Sequence, residues 1–184
     1  LVHMVIGTKD DCGDPWKASQ LVWPILDLFP TLLKTNEAEP LREWIDYHSP
    51  KLGQVNRELW HLARSIAEVF DDYVLYRPDL IIQWLDSHNV GVDSVSIPTT
   101  QVLWQPVLLR LLAERIRINP FGMQVRKAIE KLRSGQPPIS KIPNQIYCFG
   151  ISSLAPIQVE FIQALSSVMD IKMFLITPCP DLWQ

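Results

Sequence analysis

Residues 145–184 read QIYCFGISSLAPIQVEFIQALSSVMDIKMFLITPCPDLWQ, and this segment gives the clearest indication of fold class. Its first part, Ile146–Phe149, is a short β-branched and aromatic run that ends at a glycine, which predicts a buried strand. A helix is expected next, because Ser153 is a candidate N-cap and Pro156 suits a first turn. Apolar residues then recur on one helical face, at Ile157, Phe161, Ala164, Leu165 and Val168. A second apolar run, 171–177, predicts another strand, so the three elements form a βαβ unit with parallel strands.

Chemistry in such a unit is expected at the carboxyl ends of the strands, which here are residues 150–153 and 177–181. A phosphate-binding loop needs the pattern G-x-x-x-x-G-K-[ST], and the sequence contains none. Gly150 and Ile151 also occupy the positions where a helicase-type NTPase carries the acids that hold Mg²⁺. The sequence therefore predicts a strand end that lacks the residues for nucleotide and metal binding.

The chain before residue 140 has helical periodicity. The predicted helices cover 17–33, 40–47, 54–75, 79–86, 102–118 and 120–132. We expect Pro24 and Pro30 to kink or end the first of these helices. Trp44 and Val69 are expected to face inward, on the apolar stripes of the helices at 40–47 and 54–75.

Two segments outside these helices are less regular. Val2, Met4 and Ile6 alternate as a strand would, although residues 1–16 as a whole are ambiguous, and 89–100 reads as a loop or insertion. The predicted organisation is a helical subdomain over 1–140 and a βαβ portion of a parallel α/β domain over 141–184. The predicted fold class is therefore α/β and predominantly helical.

Length and composition fit one soluble globular domain, or somewhat more, with 47% apolar residues for a core. No run of 18 apolar residues occurs, which argues against a membrane span, and the first residue is not Met, which suggests a piece of a longer protein. The three cysteines, Cys12, Cys148 and Cys179, match no zinc spacing. Their odd number favours a reducing, cytoplasmic setting.

The net charge of −3 hides an asymmetry. Residues 110–141 contain eight basic and two acidic residues, a net charge of +6, so the rest of the chain sums to −9. A basic stripe is compatible with a polyanion such as nucleic acid, although a solvated helix face explains it equally well. The candidate phosphate contacts are Arg115, Arg117, Arg126, Lys127, Lys131 and Arg133.

A second candidate set lies in the helix at 54–75 and directly after it. Glu68, Asp71 and Asp72 could accept hydrogen bonds from base amino groups, and Arg77 could fork onto guanine. The alternative is an ordinary solvated helix face, with the C-terminal Arg77 satisfying the end of the helix. Arg64 and Glu68 are expected to form a local i,i+4 ion pair.

Hydrolytic chemistry has weak support in the sequence. Residues 150–152 lack the second glycine of a nucleophile elbow, and the four histidines show no i,i+4 pairing. Asp170 and Lys172 on one strand supply only half of a metal-dependent nuclease site.

Four segments carry a resemblance to a known family. VFDDYVLYRPD at 69–79, WQP at 104–106, FGISSLAP at 149–156 and FLITPCPDLW at 174–183 are similar to blocks of the RecC family, the gamma subunit of exodeoxyribonuclease V. The blocks occur in the family's order, and the resemblance covers roughly residues 17–184. It implies a fragment of a UvrD-like helicase fold, related to P-loop NTPases, that has lost its ATPase.

The resemblance also implies a function. The family guides unwound single-stranded DNA and contributes to recognition of the Chi sequence, with RecB-like and RecD-like partner subunits and single-stranded and duplex-end DNA as ligands. The implied base-reading positions are Glu68, Val69, Asp71 and Arg77, of which Glu68 and Val69 depart from the commoner Asp-Leu. No cofactor is implied for this fragment, since ATP and Mg²⁺ are used by the partner subunits, and the setting is the bacterial cytoplasm near the nucleoid.

Two alternatives stay open at this point. One is a helical scaffold that serves subunit contacts without binding DNA, and the other is a fragment of an active ATPase or nuclease.

Overall fold

The computed structural model describes residues 1–7, 13–48, 57–86 and 103–175. Within these ranges it contains eight α-helices and two β-strands, which confirms a predominantly helical α/β chain. The elements, in chain order, are α1 Val2–Ile6, α2 Ala18–Leu32, a 3-10 turn Asn36–Ala38, α3 Glu39–His48, α4 Arg57–Tyr76, α5 Pro78–Asp86, α6 Trp104–Ile116, α7 Phe121–Arg133, β1 Gln145–Phe149, α8 Pro156–Leu165 and β2 Asp170–Phe174.

The chain divides into two compact units. One consists of Cys12–Phe121, and the other joins Leu1–Asp11 to Gly122–Gln184. The expected division at residue 140 stays a prediction, while the compact units place α7 with the βαβ unit. The predicted loop at 89–100 and the strand-end residues 177–181 lie outside the described residues.

The unit Cys12–Phe121 is organised around α2, which packs mainly against α4 and α6. Pro24 and Pro30 both lie inside α2, so neither proline ends this helix. The expected alternative, a kink at the prolines, stays a prediction. Six large apolar side chains of α2 are buried: Leu21, Val22, Ile25, Leu26, Phe29 and Leu32. Burying each stabilises the fold by about 1.5–3 kcal/mol, and together they outweigh a cost of about 3 kcal/mol for each interior proline.

Two side chains expected to face inward are partly exposed. Trp44 is 37% exposed and its ring stacks on that of His48 at 4.2 Å, while Val69 is 38% exposed. The helices are anchored instead by neighbours nearer the centre of each apolar stripe, Ile45 in α3 and Phe70 in α4, both fully buried. A position at the margin of a stripe is buried only if a neighbouring element reaches it, and sequence periodicity does not contain that information.

The βαβ unit forms as expected. β1 and β2 pair in parallel, with Gln145 opposite Asp170 and Phe149 opposite Phe174. The crossover helix α8 begins at a different residue from the one predicted, since its N-cap is Ala155 rather than Ser153. The Gln158 side chain accepts the Ala155 N–H at 2.9 Å, and this supplies the capping interaction expected from a serine hydroxyl.

The far end of α8 also differs from the expectation. The helix ends at Leu165, one turn before Val168, which is 41% exposed. Ile157, Phe161 and Leu165 form its buried face. A serine pair follows Leu165, and both hydroxyls donate to backbone carbonyls of the last turn, which ends the helix before Val168 can join that face.

The alternation at the N-terminus does not produce a strand. Val2–Ile6 forms the short helix α1, because Val2 and Val5 are three residues apart and are buried on one helical face. Gly7 ends the helix with a φ of 78°, and an added Cβ there would lie 2.8 Å from Cδ1 of Ile139. None of the helices in the described ranges combines the length and the apolar character that a membrane span requires.

Candidate nucleic-acid interface

Helix α4 carries an exposed stripe near its C-terminal end. Glu68, Val69, Asp72 and Tyr76 are all exposed, and their spacing places them side by side on the face opposite the core. Tyr76 is 58% exposed and was absent from the candidate set, although its position four residues after Asp72 marks it as part of the same face. The stripe therefore combines two carboxylates with one aliphatic and one aromatic side chain.

Glu68 has a partner within its own helix. Arg64 Nε donates to Glu68 Oε1 at 2.9 Å, which confirms the expected i,i+4 pair. The Arg64 guanidinium also lies over the Trp60 ring, 5.5 Å from its centroid. Both charged side chains of the pair are more than half exposed, so the pair stabilises α4 by only about 0.3–0.5 kcal/mol.

Asp71 lies away from this stripe and contacts α2. Its Oδ2 accepts the backbone N–H of Ala18, the first residue of α2, at 3.1 Å, and its Oδ1 accepts from Lys17 Nζ at 3.1 Å. The first N–H groups of a helix have no partner inside the helix, so a carboxylate at this position satisfies a donor and complements the helix dipole. The arrangement gives Asp71 a structural role between α2 and α4.

Arg77 follows the last residue of α4 and is exposed. Its backbone N–H donates to the Tyr73 carbonyl at 2.9 Å, and its guanidinium lies 5.9 Å from the centroid of the Tyr73 ring. Asp71 and Arg77 are six residues apart, which is about 9 Å along a helix axis, and they project from different sides of it. The structure does not bring these two candidates together on one face.

The candidate phosphate contacts are divided between the two units. In the unit Cys12–Phe121, Arg115 donates to Asp27 at 2.6 Å, with both side chains at least half exposed. Arg117 is exposed at the C-cap of α6, where its φ is 58°, and no ion pair is recorded for it within the described ranges. Arg117 is therefore the more accessible of the two cations.

The other four candidates lie on α7 and separate into two pairs. Arg126 donates to Oε2 of Glu160 on α8 at 2.9 Å, and Arg133 reaches the same oxygen at 3.7 Å. Lys127 and Lys131 are four residues apart on another side of α7, and no ion pair is recorded for either in the described part of the chain. The lysine pair thus has no ion pair to break in the described part of the chain, with Lys127 exposed and Lys131 half-buried, while the arginine pair holds α7 against α8.

The strand end was the other expected position for chemistry. Gly150 has a φ of 67° and ends β1 in a turn, with Ser152 and Ser153 exposed after it. Within the described residues, no group of three or more His, Cys, Asp or Glu side chains could hold a metal ion. Asp170 and Lys172 lie 3.7 Å apart between Oδ2 and Nζ, and Gln145 Nε2 donates to Asp170 at 2.6 Å, so this carboxylate already has two partners.

Comparison with known proteins identifies similar chains. A family model for the RecC N-terminal domain matches residues 1–184. RecBCD enzyme subunit RecC of Mycobacterium tuberculosis H37Rv is 29% identical over 191 residues, which cover 100% of this chain and 16% of the relative. The Escherichia coli K12 protein of that name is 29% identical over 171 residues, which cover 88% of this chain and 14% of the relative. The Haemophilus influenzae protein is 26% identical over 187 residues, which cover 92% of this chain and 16% of the relative. The chain thus spans about one sixth of the length of these curated relatives.

Proposed function

Because the chain belongs to the RecC N-terminal domain family, we propose that it is a non-catalytic, DNA-guiding part of an exodeoxyribonuclease V subunit. RecB-like and RecD-like partners would supply the ATP- and Mg²⁺-dependent motor and nuclease steps of recombinational break repair. The fold is proposed to be a UvrD-like helicase fold that retains the βαβ unit without a phosphate-binding loop. The proposed setting is the bacterial cytoplasm. The match over all 184 residues is the observation that carries the proposal.

The contact with the DNA backbone is assigned to the lysine side of α7. Lys127 and Lys131 project from one helical side, about 6 Å apart along the axis, which is close to the spacing of successive phosphates in an extended single strand. Among the described residues, neither lysine forms an ion pair with a carboxylate. Binding a phosphate therefore does not require an intramolecular ion pair to break. Arg126 and Arg133 would have to leave Glu160 before they could do the same.

Base sampling is assigned to the exposed stripe of α4. Glu68 and Asp72 can accept from cytosine or guanine amino groups, and Tyr76 offers a ring on which an unpaired base can stack. Val69 supplies apolar contact area beside them, and Arg77 can contact guanine separately from the stripe. Asp71, by contrast, would contribute indirectly through its hold on α2.

A salt titration of single-stranded DNA binding tests the backbone contact. In the full-length protein, K127Q/K131Q should lower affinity for all sequences and reduce the slope of log K against log salt by about 1.4, at about 0.7 for each phosphate that is no longer neutralised. The matched control is R126Q/R133Q, which removes the same charge from the same helix but from residues paired to Glu160, and should change the slope much less. Equal slopes for wild type and K127Q/K131Q would contradict the assignment.

The same measurement with a panel of DNA sequences tests base sampling. E68D/V69L restores the commoner Asp-Leu pair of the resembled family and should change the preferred sequence while leaving the salt slope unaltered, since neither residue contacts phosphate in this proposal. An unaltered sequence preference would contradict the assignment of base sampling to the exposed stripe of α4.

A scaffold function is the second candidate, and the ion pairs on the basic residues favour it. Three of the six candidate cations, Arg115, Arg126 and Arg133, bind carboxylates of their own unit. If the full-length protein assembles with its partner subunits and none of the α7 or α4 variants alters DNA binding, the scaffold is the better description.

A further inference from the structure

Helix α4 carries a cation one turn before the exposed stripe. Arg64, Glu68 and Asp72 follow one another at four-residue intervals and are all exposed, so they share one helical side. Each interval is about 6 Å along the helix axis, which is close to the distance between successive nucleotides of an extended single strand. Arg64 thus lies about one nucleotide step before the first carboxylate of the stripe.

The contact between Arg64 and Glu68 leaves the end of the arginine side chain accessible. Arg64 donates from Nε to Glu68 Oε1 at 2.9 Å, and no acceptor is recorded for its two terminal amino groups among the described residues. By contrast, Arg115 and Arg126 reach their carboxylates with terminal nitrogens. A guanidinium has five N–H donors arranged as a fork, and its two terminal nitrogens can bind a phosphate bidentately. Arg64 can therefore bind a phosphate without leaving Glu68.

The ring of Trp60 fixes the position of the guanidinium. Arg64 Cζ lies 5.5 Å from the centroid of this ring, within the range of a cation–π contact. Trp60 itself is half-buried and packs against the hydrophobic core, so its ring is a rigid support. Because Arg64 is held by both Trp60 and Glu68, its terminal amino groups lose less conformational entropy when they bind a ligand.

The carboxylates of the stripe require a cation close by if a DNA strand is to lie over them. Glu68 and Asp72 repel the phosphate backbone, although both can accept hydrogen bonds from base amino groups. All 20 residues of α4 are described, and the arginines among them are Arg57 and Arg64. Arg57 lies about 16 Å before Glu68 along the helix axis, whereas Arg64 lies about 6 Å before it. Arg64 is therefore the cation of this helix best placed to hold a strand whose bases face the carboxylates.

We infer that Arg64 binds the phosphate next to the nucleotide whose base Glu68 accepts from, and that it thereby sets the register of single-stranded DNA on the exposed stripe. Arg64 Nε holds Glu68 Oε1, the terminal amino groups bind the phosphodiester, and Glu68 Oε2 accepts from the base. This inference rests on the proposed base sampling by α4. It adds a phosphate contact in the same compact unit as the stripe, whereas Lys127 and Lys131 belong to the other unit.

A salt titration of single-stranded DNA binding by the full-length protein tests the phosphate contact. R64Q should reduce the slope of log K against log salt by about 0.7, the value for one phosphate that is no longer neutralised. R64K keeps the charge but not the planar fork, so it should keep the wild-type slope. Both variants should weaken the sequence preference measured with the panel of DNA sequences, because neither holds Glu68 and the phosphate with separate nitrogens of one rigid group. Both variants should fold as the wild type does, since the ion pair is more than half exposed.

The matched control is R57Q. Arg57 lies on the same helix, is also exposed, and also uses its Nε for a contact four residues on, with His61 Nε2 at 3.3 Å. It lies about two turns before Arg64 and makes no recorded contact with the stripe within the described ranges. R57Q should therefore change the salt slope much less than R64Q and leave the sequence preference unchanged.

The results separate this inference from the proposed function. If R64Q keeps the wild-type slope while K127Q/K131Q lowers it, Arg64 binds no phosphate, and the inference is overturned while the proposed backbone contact stands. If R57Q lowers the slope as much as R64Q, the effect is attraction to positive charge anywhere on α4, which also overturns the inference. If R64K loses as much slope as R64Q, the cause is altered folding rather than lost charge, with the same consequence. If no variant, including K127Q/K131Q and E68D/V69L, alters DNA binding, the proposed function fails and the inference fails with it.

Discussion

Replacing Asp71 with alanine separates the structural role of this residue from base reading. The substitution removes the acceptor of the Ala18 N–H and the partner of Lys17 Nζ. We expect the N-terminal turn of α2 to lose order, while the exposed stripe of α4 stays in place.

The size of the effect follows from the two contacts. A carboxylate that accepts a helix-start N–H contributes about 0.5–2 kcal/mol, in line with measured capping substitutions. The Lys17 pair adds at most about 1 kcal/mol, because Lys17 is 57% exposed and its partner 26%. Together, the loss of both contacts in D71A should lower the local stability of the start of α2 by about 1–2 kcal/mol. The effect of D71N should be smaller, because asparagine keeps an oxygen acceptor but loses the charge.

Hydrogen exchange measured by mass spectrometry is the assay, because it reports on one helix of a large protein. A loss of about 1–2 kcal/mol corresponds to roughly 5–30-fold faster exchange in a peptide covering the start of α2. The matched control is D72A, which removes the neighbouring carboxylate from the exposed stripe and should leave exchange in α2 unchanged.

The combination of results is decisive. If D71A leaves the Ala18 amide as protected as in the wild type, the capping contact does not stabilise α2 and the reasoning is refuted. If D71A alters sequence preference in DNA binding without a change in exchange, Asp71 reads bases directly.

Two further substitutions test contacts inside single units. W16F should lower the free energy of unfolding, measured by urea denaturation, by about 1–3 kcal/mol, because the fully buried Trp16 donates from Nε1 to the Ile118 carbonyl at 2.7 Å. The control is W23F, at a residue that is 62% exposed, which should have little effect. Equal effects of the two substitutions would contradict a stabilising role for the Trp16 hydrogen bond. E160Q should lower the free energy of unfolding in the same assay by about 1–2 kcal/mol, because it weakens the ion pairs with Arg126 and Arg133 of α7. The control is E130Q, at an exposed carboxylate of α7, which should leave the free energy of unfolding unchanged. An unchanged value for E160Q would show that the ion pairs do not hold α7 to α8.

Local interactions were predictable from the sequence, as the βαβ unit and the Arg64–Glu68 pair illustrate. Each depends on residues within about one helical turn or one short apolar run, and periodicity captures that scale. The cap of α8 was missed at the same scale, because the Gln158 side chain supplied the acceptor expected from Ser153. The local sequence pattern thus predicts the helix α8 but not which side chain caps it.

Tertiary interactions were not predictable in this way. The Asp71 carboxylate binds a backbone N–H 53 positions earlier in the chain, and nothing in the sequence around either residue indicates this contact. On α4 alone, Asp71 and Asp72 are neighbouring acids that fit the same base-reading hypothesis. Only the position of α2 separates them into a capping residue and an exposed one.

The basic stripe shows how the same limitation affects a functional prediction. Counting charges over 110–141 treats every cation as equally available, but a cation bound to a carboxylate must leave that partner before it binds a phosphate. On α7, Arg126 and Arg133 form ion pairs with Glu160 of α8. Lys127 and Lys131, on another side of α7, have no ion-pair partner among the described residues. Counterion release depends on the number of phosphates that the protein newly neutralises. The lysine pair and the arginine pair carry the same formal charge, but the lysines should determine the salt dependence of DNA binding contributed by this helix.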